Sequence, residues 1–272
     1  MIDLLIITPT LNAEKYLSNC LISSFKLRQL GARHIIIDSG SIDSTIDIAK
    51  SFGIEVLYCP PGNMYRAINF GINKFEEIKW VTYINADDYL YEETIIELFN
   101  NNILEEYDVL YSNIDFINRF GNYLHHFRTV KVNFLKYYFL QGIMPIPQQG
   151  TIFKNKVFQA LNGFSINKKY SSDFDFFMRA YINNYKFHKI RNTQLAAFRL
   201  HQDQISQNFH LIMRQEVSDS IKSIKHKSNI VVFFIFSVYL KLINIDSYIS
   251  RIIRFYFLNN KLRFNTTMKI DD

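Results

Sequence analysis

Four short apolar runs, each giving way to a helix-patterned segment, constrain this chain more than any other feature. Leu4 to Ile7 stops at Thr8-Pro9-Thr10-Leu11-Asn12, and Ile35-Ile36-Ile37 stops at Asp38-Ser39-Gly40-Ser41-Ile42-Asp43-Ser44-Thr45. Ile54 to Leu57 follows, and the run holding Trp80, Val81, Tyr83 and Ile84 breaks off at Asn85-Ala86-Asp87-Asp88. Between the runs, Leu17, Cys20, Leu21 and Phe25, then Ile46, Ile48 and Ala49, then Tyr65 to Phe75 carry helical spacing. Strands that are apolar throughout need cover on both faces. Their alternation with helices gives right-handed βαβ units, so the expected class is α/β with a mostly parallel sheet flanked by helices.

Ligands bind such sheets at the carboxyl ends of the strands. The polar clusters Thr8 to Asn12, Asp38 to Thr45 and Asp87-Asp88 all fall there, so three loops converge on one crevice. Taken singly, each loop also reads as an ordinary turn or helix cap, because Ser, Thr, Asn and Asp favour both. No Gly-x-Gly and no Gly-Lys-Ser/Thr occurs, which excludes the dinucleotide fingerprint and the phosphate-binding P-loop.

Two adjacent carboxylates at the end of a buried strand repel each other and lose hydration. A cation compensates them, and hard oxygen ligands favour Mg²⁺ or Mn²⁺. The plainer alternative is a solvated turn leading into a helix that starts at Glu92-Glu93.

A chain of 272 residues suffices for one large or two small domains, and 16 % aromatic residues with only nine glycines mark a packed core. Cys20 and Cys59 form no Cys-x-x-Cys pair and no zinc spacing, so a reducing compartment without structural zinc is expected. Met1 to Ile7 has no basic leader or small-residue cleavage site and reads as the first strand, not a signal peptide. The net charge of +6 is concentrated at one end: residues 211–272 hold ten Lys/Arg against five Asp/Glu, a surplus of +5. That surplus sits beside strongly apolar segments, which points to an anionic membrane surface and away from nucleic acid.

The ordered set of motifs resembles glycosyltransferase family 2, with its Rossmann-like GT-A fold. The set runs Ile7-Thr8-Pro9-Thr10-Leu11-Asn12, Ile37-Asp38-Ser39-Gly40-Ser41, Pro61-Gly62-Asn63-Met64-Tyr65-Arg66-Ala67-Ile68-Asn69-Phe70-Gly71-Ile72 and Asn85-Ala86-Asp87-Asp88. It continues through Pro147-Gln148-Gln149-Gly150-Thr151, Gly163-Phe164, Ser172-Asp173-Phe174-Asp175 and Phe198-Arg199-Leu200-His201, covering roughly residues 4 to 207. The likeness is to bacterial surface-polysaccharide enzymes of the colanic-acid, O-antigen and capsule type. Two departures stand out: Ser39 and Ser172 occupy positions where the family often carries an acid.

The resemblance implies a catalytic domain over residues 1–210, with a nucleotide-sugar half to about residue 110 and an acceptor half beyond it, and a C-terminal helical extension over 211–272. It implies Asp173 as the catalytic base and Pro9, Thr10, Asn12, Asp38, Arg66 and Asp87 as donor contacts. Asp88, with Asp87 and His201, would hold Mn²⁺ or Mg²⁺, Asp88 being the principal ligand. Gln149, Asp175 and Arg199 are further candidates for acceptor or diphosphate contacts, and residues 120–148 either line the acceptor site or pack. One base without a second nucleophile implies a single displacement with inversion. The expected acceptor is a glycan hydroxyl, lipid-linked, and the expected location is the cytoplasmic face of the cell membrane.

Within the extension, Asn229 to Leu240 is nearly unbroken apolar sequence, but Lys241 interrupts it short of the roughly 20 residues a spanning helix needs. Ile249 to Leu258 alternates Arg251 and Arg254 with Ile252, Ile253, Phe255 and Phe257, as in a helix lying in a membrane interface. The alternative is a helical pair packed on the catalytic domain or on a second subunit. Two rival functions remain at this stage: a degenerate family member acting as a binding or scaffold subunit, and a sugar nucleotidyltransferase. The second would need a basic, glycine-rich loop after the first strand, which Thr8 to Asn12 is not.

Overall fold

The computed structural model describes residues 1–201, 209–223 and 230–253. The first half alternates as its apolar runs require: β1 (Leu4–Thr10), α1 (Glu14–Ile22), α2 (Phe25–Gln29), β2 (Arg33–Asp38), α3 (Thr45–Ser51), β3 (Glu55–Tyr58), α4 (Met64–Asn73) and β4 (Trp80–Tyr83). The strands pair in parallel in the order β3-β2-β1-β4. Successive side chains of a strand point to opposite faces. Accordingly Leu5, Ile7, Ile35 and Ile37 join one core, Leu4 and Ile6 a second, and Ile36 a third. Each such fully buried side chain contributes about 1.5–3 kcal/mol. Gly71 lets α4 lie flush on the sheet, since a Cβ there would stand 2.9 Å from both Ile37 Cγ1 and Ile7 Cδ1.

The second half is not a continuation of the parallel run. Its elements are β5 (Tyr89–Leu90), α5 (Glu92–Phe99), β6 (Val109–Ile117), β7 (Tyr123–Phe127), α6 (Leu135–Leu140), β8 (Thr151–Lys154), α7 (Asn155–Ala160), α8 (Ser172–Ile182) and β9 (Phe187–Arg199). β8 inserts antiparallel between β4 and β6; β9 lies parallel to β6, and β5 closes the far edge against β9. β7 branches from β6 as an antiparallel partner.

Three helices follow, α9 (His210–Ser223), α10 (Ile230–Ile243) and α11 (Ile245–Ile253). They pack on the sheet-bearing body through one face. Phe236 of α10 stacks on Tyr137 at 4.8 Å, and its carbonyl accepts from the Tyr138 hydroxyl at 2.9 Å. The Asn244 side chain bonds both backbone groups of Arg128, whose guanidinium pairs with Asp246. The outward face of α10 is apolar and open to solvent, with Ile230 78 % and Phe234 68 % exposed. Among the described residues no helix is long and apolar enough to cross a membrane. Of the expected interfacial stretch 249–258, Arg254, Phe255 and Phe257 lie outside the described residues.

Candidate active site

The parallel strands deliver their loops to one edge, as expected. Thr10 ends β1 and Asp38 ends β2, paired in register, and the Thr10 hydroxyl donates to Asp38 Oδ2 at 2.8 Å. Asp38 Oδ1 accepts from the Gly40 and Ser41 amides, both at 2.8 Å, and Oδ2 accepts from the Ser41 hydroxyl at 2.5 Å. Burial pushes this carboxyl up, but the bonds from Ser41, Thr10 and Gly40 outweigh it and hold the group below its ordinary value. Asp38 therefore stays ionised and folds its own loop. Asn12, at φ 53°, locks the neighbouring loop by accepting from the Ile42 amide at 3.0 Å, and Pro9 stands partly exposed beside it. Arg66 is exposed on the first turn of α4, which Asn63 caps by accepting from the Tyr65 amide at 2.8 Å.

After β4 the chain turns tightly, with the Asp88 amide donating to the Asn85 carbonyl at 3.0 Å. The two acids of this turn differ in exposure. Asp87 keeps 27 % of its side chain exposed, and His201, just past β9, places Nε2 2.7 Å from its Oδ2. Tyr16 of α1 backs the imidazole, with ring centroids 5.0 Å apart. Asp88 is fully buried at 0 % exposure. Its Oδ1 accepts from the Arg199 amide at 2.9 Å, and its Oδ2 from the Gln149 and Asn85 side-chain amides at 3.1 and 3.3 Å. Burial, reinforced by the Asp87 charge, pushes the Asp88 carboxyl well above the usual carboxylate range. Of the two acids expected to hold the metal, Asp88 thus has both oxygens engaged by protein donors, whereas the Asp87 side chain is 27 % exposed.

Gln149 and Arg199 belong to the same support. Arg199 is buried, and its guanidinium donates to the backbone carbonyls of Asp87 at 2.7 Å, Asn118 at 3.3 Å and Arg119 at 3.1 Å. It ties the acid turn to the β6–β7 connection. Among the described residues no three His, Cys, Asp or Glu side chains converge as a ready-made metal cage. The donor set nonetheless fits Mg²⁺ or Mn²⁺, which take one or two carboxylates and complete their coordination with substrate phosphates and water. Asp87 supplies a carboxylate, His201 an imidazole, and the same turn holds the buried Asn85 Oδ1, for which the described residues provide no hydrogen-bond partner.

Asp173 stands in the first turn of α8, partly exposed. Its Oδ1 accepts from the Phe174 amide at 2.8 Å and from the hydroxyl of Tyr65, on α4, at 3.2 Å. Burial pushes the Asp173 carboxyl up, and these two bonds pull it partly back. Tyr83, at the end of β4, meets the Tyr65 ring edge-on with centroids 6.5 Å apart, so Asp173 and the acid turn are both tied to one strand end. Asp175 is committed elsewhere: buried, it pairs with Arg179 at 2.7 Å and Lys168 at 3.4 Å and anchors α8. Tyr65 was not singled out from the sequence as a site residue. Its only signal was a phenol at the capped start of a helix inside a matching motif.

Residues 5–194 match the model of the family described as Glycosyl transferase family 2. A curated relative, the glycosyltransferase GlyA of Streptococcus pneumoniae serotype 4, is 26 % identical over 113 residues; the match takes in 40 % of this chain and 16 % of the relative's length. Among solved structures, residues 1–349 of Staphylococcus aureus TarS in complex with UDP-GlcNAc superpose with a TM-score of 0.64 at 19 % identity, covering 80 % of this chain and 66 % of that one. Glucosyl-3-phosphoglycerate synthase of Mycobacterium tuberculosis, in complex with Mn²⁺, UDP and glucosyl-3-phosphoglycerate, gives a TM-score of 0.58 at 15 % identity over 81 % of this chain and 78 % of that one. These likenesses establish the GT-A fold.

Proposed function

This chain belongs to glycosyl transferase family 2, and on that premise we propose that it moves a sugar from a uridine-diphosphate donor to a hydroxyl of a growing, lipid-linked bacterial surface glycan, with inversion at the anomeric carbon. The observation that carries the reading is the arrangement around β4: the Asp87–His201 pair in the turn that follows the strand, and Asp173 bonded to Tyr65, whose ring packs edge-on against Tyr83 at the strand's end. UDP and UDP-GlcNAc in the similar structures support a uridine donor.

The loops ending in Thr10 and Asp38 form the nucleotide side, made rigid by the Asp38 hydrogen bonds, with Pro9 and Asn12 on its rim and Arg66 offering positive charge. Asp87 and His201 would hold one Mn²⁺ or Mg²⁺, whose charge offsets that gathering on the diphosphate leaving group. Asp88, Gln149 and Arg199 keep Asp87 in place from beneath. Asp173 takes the proton of the acceptor hydroxyl as that oxygen attacks the anomeric carbon from the side opposite the diphosphate. With one base and no second nucleophile among the assigned residues, the displacement is single and the configuration inverts.

The location we assign is the cytoplasmic membrane face, supported by the apolar outer face of α10 and by the basic surplus of the C-terminal residues. The direct test is UDP release from a panel of UDP-sugars with Mn²⁺. At least one donor should be turned over, and Asp173→Asn should abolish release while the variant stays folded. A folded Asp173→Asn protein working at the wild-type rate would remove the assigned base.

A further inference from the structure

The segment that leads into α8 is held by a residue from well outside the family-matched region. Glu216, on α9, accepts from three consecutive backbone amides: Lys169 at 2.7 Å through Oε1, then Tyr170 at 3.0 Å and Ser171 at 2.9 Å through Oε2. The Ser171 hydroxyl also donates to Oε2, at 3.0 Å. Ser171 is the N-cap residue of α8 and makes no side-chain capping bond of its own. A serine there ordinarily turns its hydroxyl to the first helical amides; here the hydroxyl is given to Glu216 instead. The helix start therefore takes its position from α9.

α9 is in turn firmly seated. Ser220 is fully buried, Ile221 packs into the main core, and Phe209, just ahead of the helix, stacks on Tyr170 at 4.5 Å. Gly142 admits the helix closely: a Cβ there would stand 2.9 Å from Ile221 Cδ1 and 3.0 Å from Val217 Cγ1. Two residues past the Glu216 clasp comes Asp173.

We propose that Glu216 is a positioning residue for the transfer reaction, setting the backbone that aims Asp173 by binding residues 169–171 with one carboxylate. The inference rests on the reading of Asp173 as the base. Bonds to an ionised acceptor are about twice as strong as neutral ones, so the clasp needs the carboxylate and not merely an oxygen. An amide in its place turns an NH₂ toward backbone N–H groups.

The test compares the wild type, Glu216→Gln, Asp173→Asn and the double variant in UDP release from the best UDP-sugar with Mn²⁺, together with amide hydrogen exchange over residues 169–174. Glu216→Gln should lower kcat by about 10- to 100-fold, the upper figure being the cost of a misplacement of about 1 Å, with donor KM unchanged, and exchange at 169–171 should accelerate. In the Asp173→Asn background the second substitution should remove nothing further. If Asp173→Asn is inactive and Glu216→Gln turns over like the wild type, this inference fails alone. If Asp173→Asn is fully active, the base assignment fails, and the inference falls with it. Unchanged exchange at 169–171 overturns it whatever the kinetics. Should Glu216→Gln not fold, Glu216→Asp, which keeps the charge but falls one methylene short, must show the same kcat loss at constant KM; wild-type kcat there is equally fatal.

Discussion

The Tyr65 hydroxyl reaches Asp173 Oδ1 at 3.2 Å across 108 positions of sequence. The phenol stays neutral, because burial raises its own ionisation well above the ordinary tyrosine value, so it acts purely as a donor to the carboxylate. That bond lowers the Asp173 carboxyl against the upward push of burial. Tyr65→Phe keeps the ring in the core and deletes the donor. The acid limb of the kcat–pH profile should then move to higher pH, with donor KM unchanged. An acid limb that stays where it was would show that the hydroxyl does not act on the base.

The difference in burial between Asp87 and Asp88 should separate binding from stability. Asp87→Ala and His201→Ala are expected to lose Mn²⁺-dependent UDP binding in calorimetric titration while remaining folded. Asp88→Ala strands three buried N–H donors, from Arg199, Gln149 and Asn85, at a cost of about 3 kcal/mol. Its melting temperature should fall by about 6–12 °C. A fall of that size in Asp87→Ala with none in Asp88→Ala would reverse the two roles.

Acid stability should be governed in part by His34. It is buried on β2, its Nε2 2.9 Å from the Thr8 hydroxyl and its Nδ1 2.7 Å from that of Ser24. Burial, with the nearby Arg28 charge, lowers it from 6.5 to about 3. The unfolded chain therefore binds a proton that the folded chain refuses between these values. Stability is complete above pH 6.5 and is lost as the pH falls toward 3, by about 1.4 kcal/mol per unit. His34→Gln should be less stable at neutral pH but should show a shallower decline in melting temperature over pH 6.5 to 4. An equally steep decline in the variant would place the acid-labile group elsewhere.

The outer face of α10 is expected to bind phosphatidylglycerol vesicles. Phe234 is the side chain to change, being exposed and apolar within a patch that includes Ile230 and Ile235. Phe234→Asp should cut the sedimented fraction several-fold, since it removes roughly 2 kcal/mol of apolar burial and adds a like charge. High salt should weaken binding of the wild type. Equal sedimentation of both proteins would leave this face without a membrane role.

What the sequence disclosed follows from how strongly each element must show its surroundings in its own residues. β1, β2 and β4 were legible because the buried stretches of such strands are apolar and stop at turn residues; the run read as Ile54 to Leu57 is the edge strand β3, Glu55–Tyr58, exposed at both ends, and the helix read as Tyr65 to Phe75 is α4, Met64–Asn73. β9 was not legible. Its stretch Lys189 to Gln194 is polar, with Asn192 at φ 55° and register shifts against β6. The polar loops were legible because residue type alone marks them, whereas Asp173 was singled out only by its place in the motif Ser172-Asp173-Phe174-Asp175. Which of Asp87 and Asp88 is buried was not legible, since neighbouring residues differ only by a phase that the turn geometry sets. Glu216 left no trace, because its partners are backbone amides and every residue but proline has one.

The family match ends at residue 194, inside β9, which runs on to Arg199. His201 and Glu216 both lie downstream of that limit. A fragment trimmed to the recognised boundary would lose five residues of a strand that braces β6 and β5, the imidazole facing Asp87, and the clasp on the start of α8. Expression libraries and domain swaps drawn along homology borders would therefore omit these parts, and a blank assay from such a piece would say nothing about the longer chain.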